Sequence, residues 1–206
     1  MYFLRNIYNL RFFSVCKCIK CDNSVNITNF FCNSCNWPLE SEIIKRENIY
    51  KIFQIVEEYE IDKNLLSKRY KNYQFLLHPD HHYGRTKEEL SIITANSGII
   101  NSLYNTLIDD KKRAEYLFKI RFTRYNFEEE IEKIKKNQLE SVMEIYEKLD
   151  SLETLEDKNK LKAEIKSKID SAVERIGESF HSNDVNSVTK NYVTLSFYKQ
   201  IYNKLI

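Results

Sequence analysis

Only three glycines and two prolines punctuate the 206 residues of this chain. A strand-rich fold needs a turn every few residues, and tight turns draw on Gly, Pro, Asn and Asp for backbone angles that other residues resist. With so few breakers, long helices joined by a handful of loops are the expectation. The length suits one medium domain or two small ones. The formal net charge is only +2, with acids and bases interspersed, which argues against a nucleic-acid partner. No apolar run reaches the length of a transmembrane helix, so no membrane partner is expected.

All five cysteines fall at positions 16, 18, 21, 32 and 35. A disulfide framework would spread along a domain, whereas a cluster this tight reads as a metal site. Cys18-x-x-Cys21 and Cys32-x-x-Cys35 enclose ten residues. Each pair can form a tight knuckle, and two knuckles complete a tetrahedron of thiolates around one structural Zn ion. Four thiolates leave no open position for water, so zinc catalysis is not implied. Paired disulfides or free thiols are the competing reading, and Cys16 competes with Cys18 at the cost of the two-residue spacing. A segment as small as 16–40 cannot build a core, and metal binding would supply its folding energy.

Residues 1–15 carry Arg5 and Arg11 and no acid, as a mitochondrial targeting segment does; a frayed terminus and a secretory signal are the alternatives. Residues 42–60 read as a helix, with Ile49, Ile52, Phe53 and Val56 spaced for one face. Asp62 suits an N-cap for the next helix, which carries Leu66, Tyr70, Tyr73 and Leu77 within about 60 degrees on a helical wheel. Pro79 ends it, because the residue before a proline avoids helical geometry. Thr86-x-x-Glu89 is a capping box opening a helix to about Leu107, with Ile92, Ala95, Ile99, Leu103 and Leu107 inward. Three further helical patterns cover about 128–154, 157–180 and 185–205, with Asn183 and Asp184 as turn and cap.

His78-Pro79-Asp80 thus stands in a loop between two helices. This arrangement resembles the J-domain, in which that tripeptide touches a DnaK-type heat-shock chaperone and stimulates its ATPase. Lys68 and Lys71 lie opposite the apolar face, as the basic outer face of a J-domain's second helix does; an ordinary solvated face is the bland reading. Two departures are Phe75 on that outer face, where many J-domains carry a base, and His81, where Lys commonly follows the tripeptide.

Which J-protein this resembles is carried by Ile100-Asn101, Tyr104, Thr106-Leu107 and the run Arg113-Ala114-Glu115-Tyr116-Leu117. These resemble the HscB (Jac-type) family of iron–sulfur co-chaperones, and three glycines exclude the Gly/Phe-rich linker of ordinary DnaJ proteins. The resemblance implies an all-α chain: a zinc-ribbon-like tetracysteine module over 16–40, a J-domain over 45–122 and a C-terminal three-helix bundle over 127–206. It implies that the bundle binds an iron–sulfur scaffold protein of IscU type through Val142, Met143, Tyr146, Glu147, Asp150 and Phe197. Ser141 stands where the family begins its motif with Phe, and Val142 and Ile145 also fit the bundle's own stripe with Ile131, Ile134, Leu149 and Leu152. The expected function is a non-enzymatic adaptor of the mitochondrial matrix, with the cytoplasm as the alternative. It would bring the scaffold to a mitochondrial DnaK-type chaperone; a general J-protein with a different client is the rival.

Overall fold

The computed structural model describes residues 14–137 and 154–205. These divide into two compact units, one containing 14–57 and 61–108, the other 58–60 and 109–205. The second unit therefore takes in the helix that the sequence reading grouped with 45–122.

The first unit opens with a minimal antiparallel hairpin, β1 (Val15–Lys17) against β2 (Ser24–Asn26), with Cys16 opposite Val25. Three-residue strands give too few positions for alternation to register in a sequence. The chain then passes through a 3-10 turn at Ile27–Asn29 and an isolated bridge between Phe31 and Pro38.

The single helix expected over 42–60 is two short ones, α1 (Ser41–Arg46) and α2 (Ile49–Ile52). Glu47 is extended, and the Asn48 side chain accepts the Tyr50 N–H as a fresh N-cap. Beyond α2, Gln54 takes φ +52°; its N–H bonds to Lys51 O and the Ile55 N–H to Tyr50 O at 2.9 Å. This is a Schellman ending with Gln where Gly is usual, so nothing in the sequence announced it. Val56, expected on the buried face, is consequently exposed.

Helix α3 (Lys63–Leu76) starts where expected: one Asp62 carboxylate oxygen accepts from Asn64 and Leu65, both at 2.9 Å. It packs along α4 (Lys87–Ile108) and buries Leu66 and Tyr73, with Leu77 at its end; the Tyr73 ring meets Phe53, and its hydroxyl donates to Ile52 O at 2.8 Å. The capping box at the start of α4 is reciprocal, Thr86 N to Glu89 Oε2 at 2.9 Å and Glu89 N to Thr86 Oγ1 at 3.3 Å. The inward face of α4 is rotated from the expected one: Ile93, Asn96, Ile100 and Leu107 are buried, while Ala95 is exposed. The polar Asn96 hid the stripe. Fully buried, it donates to Leu39 O at 2.7 Å and accepts from Ser41 Oγ at 2.7 Å, fastening the cysteine segment and α1 to α4. Phe30 packs edge-on against Tyr73 at 4.9 Å between ring centres, so the cysteine segment and the α3–α4 hairpin share one core.

The second unit comprises α5 (Asp110–Arg121), α6 (Phe127–Asn137), α7 (Leu155–His181) and α8 (Val185–Lys204). Helices α7 and α8 form an antiparallel pair turning at Asn183, which takes φ +54°; Asp184 caps α8 through Ser187 N at 3.1 Å. α5 and α6 pack against α8. Leu117, Phe118, Phe127, Ile176, Phe180, Val188 and Leu195 are all buried in this unit, and the Phe118 and Phe127 rings meet at 4.9 Å. Residue Arg113, 2% exposed, donates from Nε to Tyr59 O at 2.7 Å and from Nη2 to Asp110 at 2.6 Å, and lies over the Tyr59 ring. The Tyr59 ring in turn stacks on Phe180. The chain is mostly helical with a tetracysteine segment at its start, as the sequence predicts. No described helix is long and apolar enough to cross a membrane.

Candidate functional site

Two features of the first unit carry chemistry: the cysteine cluster and the histidine loop. The two knuckles repeat one backbone design. In the first, the Asp22 N–H bonds to Cys18 O at 2.9 Å and Asp22 takes φ +56°; in the second, the Asn36 N–H bonds to Cys32 O at 2.8 Å and Asn36 takes φ +58°. Asp and Asn are the non-glycine residues that tolerate this left-handed geometry best. Each turn folds its two sulfurs to one side, and all four Sγ atoms of Cys18, Cys21, Cys32 and Cys35 lie within 4.8 Å of one another.

A tetrahedral ion with sulfurs at about 2.3 Å needs sulfur–sulfur edges of about 3.8 Å. The cross-knuckle pairs Cys18–Cys35 and Cys21–Cys32 stand at 3.6 and 3.5 Å. That is far beyond the roughly 2.05 Å of a disulfide and close to the tetrahedral edge, so the donor set fits a metal ion. Cys16 is not part of it: on β1, its thiol points to Val25 O at 3.7 Å, and burial pushes its pKa up. Thiolate formation is uneven. Backbone N–H groups of Cys35 and Ser34 aimed at the Cys32 sulfur draw its pKa down to about 6. The Trp37 N–H favours a Cys35 thiolate, but desolvation and the other sulfurs outweigh it and push that pKa up to about 12. Four crowded sulfurs cannot all ionise without a cation to take up the charge.

The histidine loop leaves the C-terminus of α3 as a 3-10 turn over Pro79–His81. Pro79 supplies its first position, where a missing N–H costs nothing. His78 Nδ1 accepts the Asp80 N–H at 3.3 Å, and the two side chains approach to 3.7 Å while both stay largely exposed. A neutral imidazole accepting at Nδ1 carries its proton at Nε2. The loop therefore presents a donor and a carboxylate acceptor side by side. His81 and His82 turn back, their ring nitrogens reaching Phe75 O at 2.8 Å and Leu76 O at 2.9 Å. His81 gives Phe75 O a second partner beside the His78 N–H at 3.3 Å, and His82 caps Leu76 O. His81 thus caps a helix, and its ring meets Phe75 at a tilt of 59°, 4.2 Å between centres. Lys68 and Lys71 are exposed on the face of α3 away from its core, and Phe75 on that side is 70% exposed.

In the second unit, Phe197 on α8 is half-buried beside the cluster of Leu161, Ile165 and Ile201. Val142, Met143, Tyr146, Glu147 and Asp150 lie outside the described residues, as does nearly all of the 1–15 segment. Arg85 and Asn96, which tie the cysteine segment to the helical hairpin, were not singled out from the sequence. Neither residue type at those positions signals such a contact before the fold is known.

Residues 134–205 match the family model described as the HSCB C-terminal oligomerisation domain. The chain is 25% identical to the iron-sulfur cluster co-chaperone protein HscB homolog of Arabidopsis thaliana over 178 residues, 85% of this chain and 68% of the relative. It is 23% identical to the human iron-sulfur cluster co-chaperone protein HscB over 176 residues, 85% and 74% of the two. The crystal structure of human co-chaperone protein HscB shares the fold, with a TM-score of 0.69 at 21% identity, covering 92% of this chain and 97% of that one.

Proposed function

We propose that this chain, which carries the HscB C-terminal domain and the HscB fold, is a J-domain co-chaperone that delivers an iron–sulfur scaffold protein of IscU type to a DnaK-type chaperone. The observation that carries the reading is the intact His78-Pro79-Asp80 turn, exposed at the end of α3 and flanked by the exposed Lys68 and Lys71. Lysines steer an acidic partner surface by long-range attraction, and the His78–Asp80 donor–acceptor pair then makes short-range contacts. Stimulated ATP hydrolysis in the chaperone closes it on the scaffold and promotes cluster transfer.

The second surface belongs to the C-terminal bundle, where Val142, Met143, Tyr146, Glu147, Asp150 and Phe197 would hold the scaffold. Holding both partners on one chain raises their effective concentration for each other. The metal is zinc in this reading, one structural ion held by Cys18, Cys21, Cys32 and Cys35. It would supply folding energy to the segment around it. Four thiolates would close the ion's coordination sphere, so the ion would be structural, and in this reading the chain acts as an adaptor with no covalent step of its own. We place the activity in the mitochondrial matrix, a reading supported by the basic, acid-free composition of residues 1–15.

Two experiments test the two surfaces apart. The His78→Gln variant should lose stimulation of the chaperone's ATPase while keeping wild-type helicity; unchanged stimulation would remove the J-domain role. An immobilised chain should retain an IscU-type scaffold and lose it in a Met143→Ala/Tyr146→Ala double variant. Failure of the wild type to retain it would point to a different client.

A further inference from the structure

The second cysteine knuckle and the far end of the histidine loop meet at Arg85. Its Nη1 donates to the Asn36 carbonyl at 2.9 Å and pairs with Glu89 at 2.9 Å, and its guanidinium lies over the Phe31 ring at 4.9 Å. The Arg85 and Glu89 side chains are only 14% and 15% exposed. Phe31 also meets the His82 ring at 5.2 Å. Asn36 directly follows Cys35 and is the left-handed residue closing the second knuckle, so the carbonyl that Arg85 holds belongs to the turn a metal would fasten. Glu89, on the other side, belongs to the capping box that starts α4. One side chain thus joins the metal turn, the loop end and a helix terminus: both hydrogen bonds leave from Nη1, while the flat guanidinium covers the Phe31 ring, a stacking that Lys cannot reproduce.

Apart from Arg85, that end is tethered by the His81 and His82 rings, which bond back to Phe75 O and Leu76 O on α3. Gly84, with φ +81°, immediately precedes Arg85 and leaves the backbone free to pivot. The backbone bonds there are His81 N to His78 O, His82 N to Pro79 O and a longer one of 3.3 Å from residue 85 N to His82 O.

We propose that Arg85 is a positioning residue through which the metal-fastened second knuckle fixes the C-terminal end of the His78–Gly84 loop, so that metal loading sets the order of that loop. Metal loading would then govern chaperone stimulation as well, a step that rests on the loop being the chaperone contact.

The test is amide hydrogen exchange on the full chain, zinc-loaded and zinc-stripped, for the wild type, Arg85→Lys and Arg85→Met. With zinc content unchanged, Arg85→Met should raise exchange at residues 81, 82 and 85 by about tenfold, the effect of losing one charged hydrogen bond. Amides in the middle of α4 should keep wild-type protection, showing that the fold survives. Stripping zinc from the wild type should give the same rise, and stripping it from Arg85→Met should add little. Unchanged loop exchange in zinc-loaded Arg85→Met, or equal increments on stripping both proteins, would overturn the proposal. If α4 also loses protection in the Met variant, Arg85→Lys decides on the same criterion. ATPase stimulation is read separately: a loop that loosens as expected while stimulation stays at the wild-type level would leave the brace standing and count against the loop as the chaperone contact.

Discussion

Single residues do different work from what their type suggests in this chain. Arg113 sits in the run Arg113-Ala114-Glu115-Tyr116-Leu117, whose match to a family says nothing about why an arginine is needed. The structure answers: it is buried, holds Tyr59 O and Asp110, and covers the Tyr59 ring, pinning residues 58–60 into the second unit. Replacing it with Met leaves the Tyr59 carbonyl and the Asp110 carboxylate without that donor. We expect a loss of about 3 kcal/mol in the unfolding of that unit, measured by denaturant titration. Asn96 is the mirror case. A polar residue on the inward stripe of α4 made the neighbouring row look like the core face, and only the Leu39 and Ser41 contacts explain its burial. Phe75, by contrast, was legible from the helical wheel and is exposed as expected. If Lys68 and Lys71 make the proposed chaperone contact, substituting Arg there should steepen the salt dependence of chaperone binding, because it adds a screened charge beside them.

At the scale of elements, caps were the most readable feature. Asp62, Thr86 with Glu89, and Asp184 each close a helix N-terminus by local hydrogen bonds, and local chemistry is what a sequence records directly. The break between α1 and α2 and the ending at Gln54 were not readable, because the residues adopting those conformations are not the usual markers. Two tests belong here. Gly98 lies inside α4, where an added Cβ would meet no atom within 4 Å, so Gly98→Ala should stabilise the first unit by about 0.5–1 kcal/mol in thermal or denaturant unfolding. The capping box should be pH-sensitive in a defined direction. Backbone and side-chain hydrogen bonds from Thr86 hold the Glu89 pKa below its ordinary 4.5. A lowered folded pKa means its contribution is complete above about pH 4.5 and fades as pH falls through the folded value. The stability difference between wild type and Glu89→Gln should therefore shrink on acidification below that point, and a constant difference would contradict the cap's role.

On the scale of the whole molecule, the mostly helical class and the tetracysteine cluster were legible because they rest on composition and spacing, whereas the joining of cysteine segment and helical hairpin into one unit was not. That union depends on Phe30, Asn96 and Arg85 meeting partners far away in sequence, which no local pattern encodes. It has a direct readout, since the chain's one tryptophan, Trp37, lies in the segment after the second knuckle. Removing the metal should shift Trp37 emission, while far-UV helicity from the long helices is largely retained. The central claim, that one chain couples a scaffold to a chaperone, is tested most directly by single-turnover ATP hydrolysis in a cognate DnaK-type chaperone, with this protein, in the presence and absence of the iron–sulfur scaffold. The account predicts stimulation by the protein alone and a more than additive rise when the scaffold is added. Stimulation indifferent to the scaffold would contradict the coupling and leave a J-domain protein with another client.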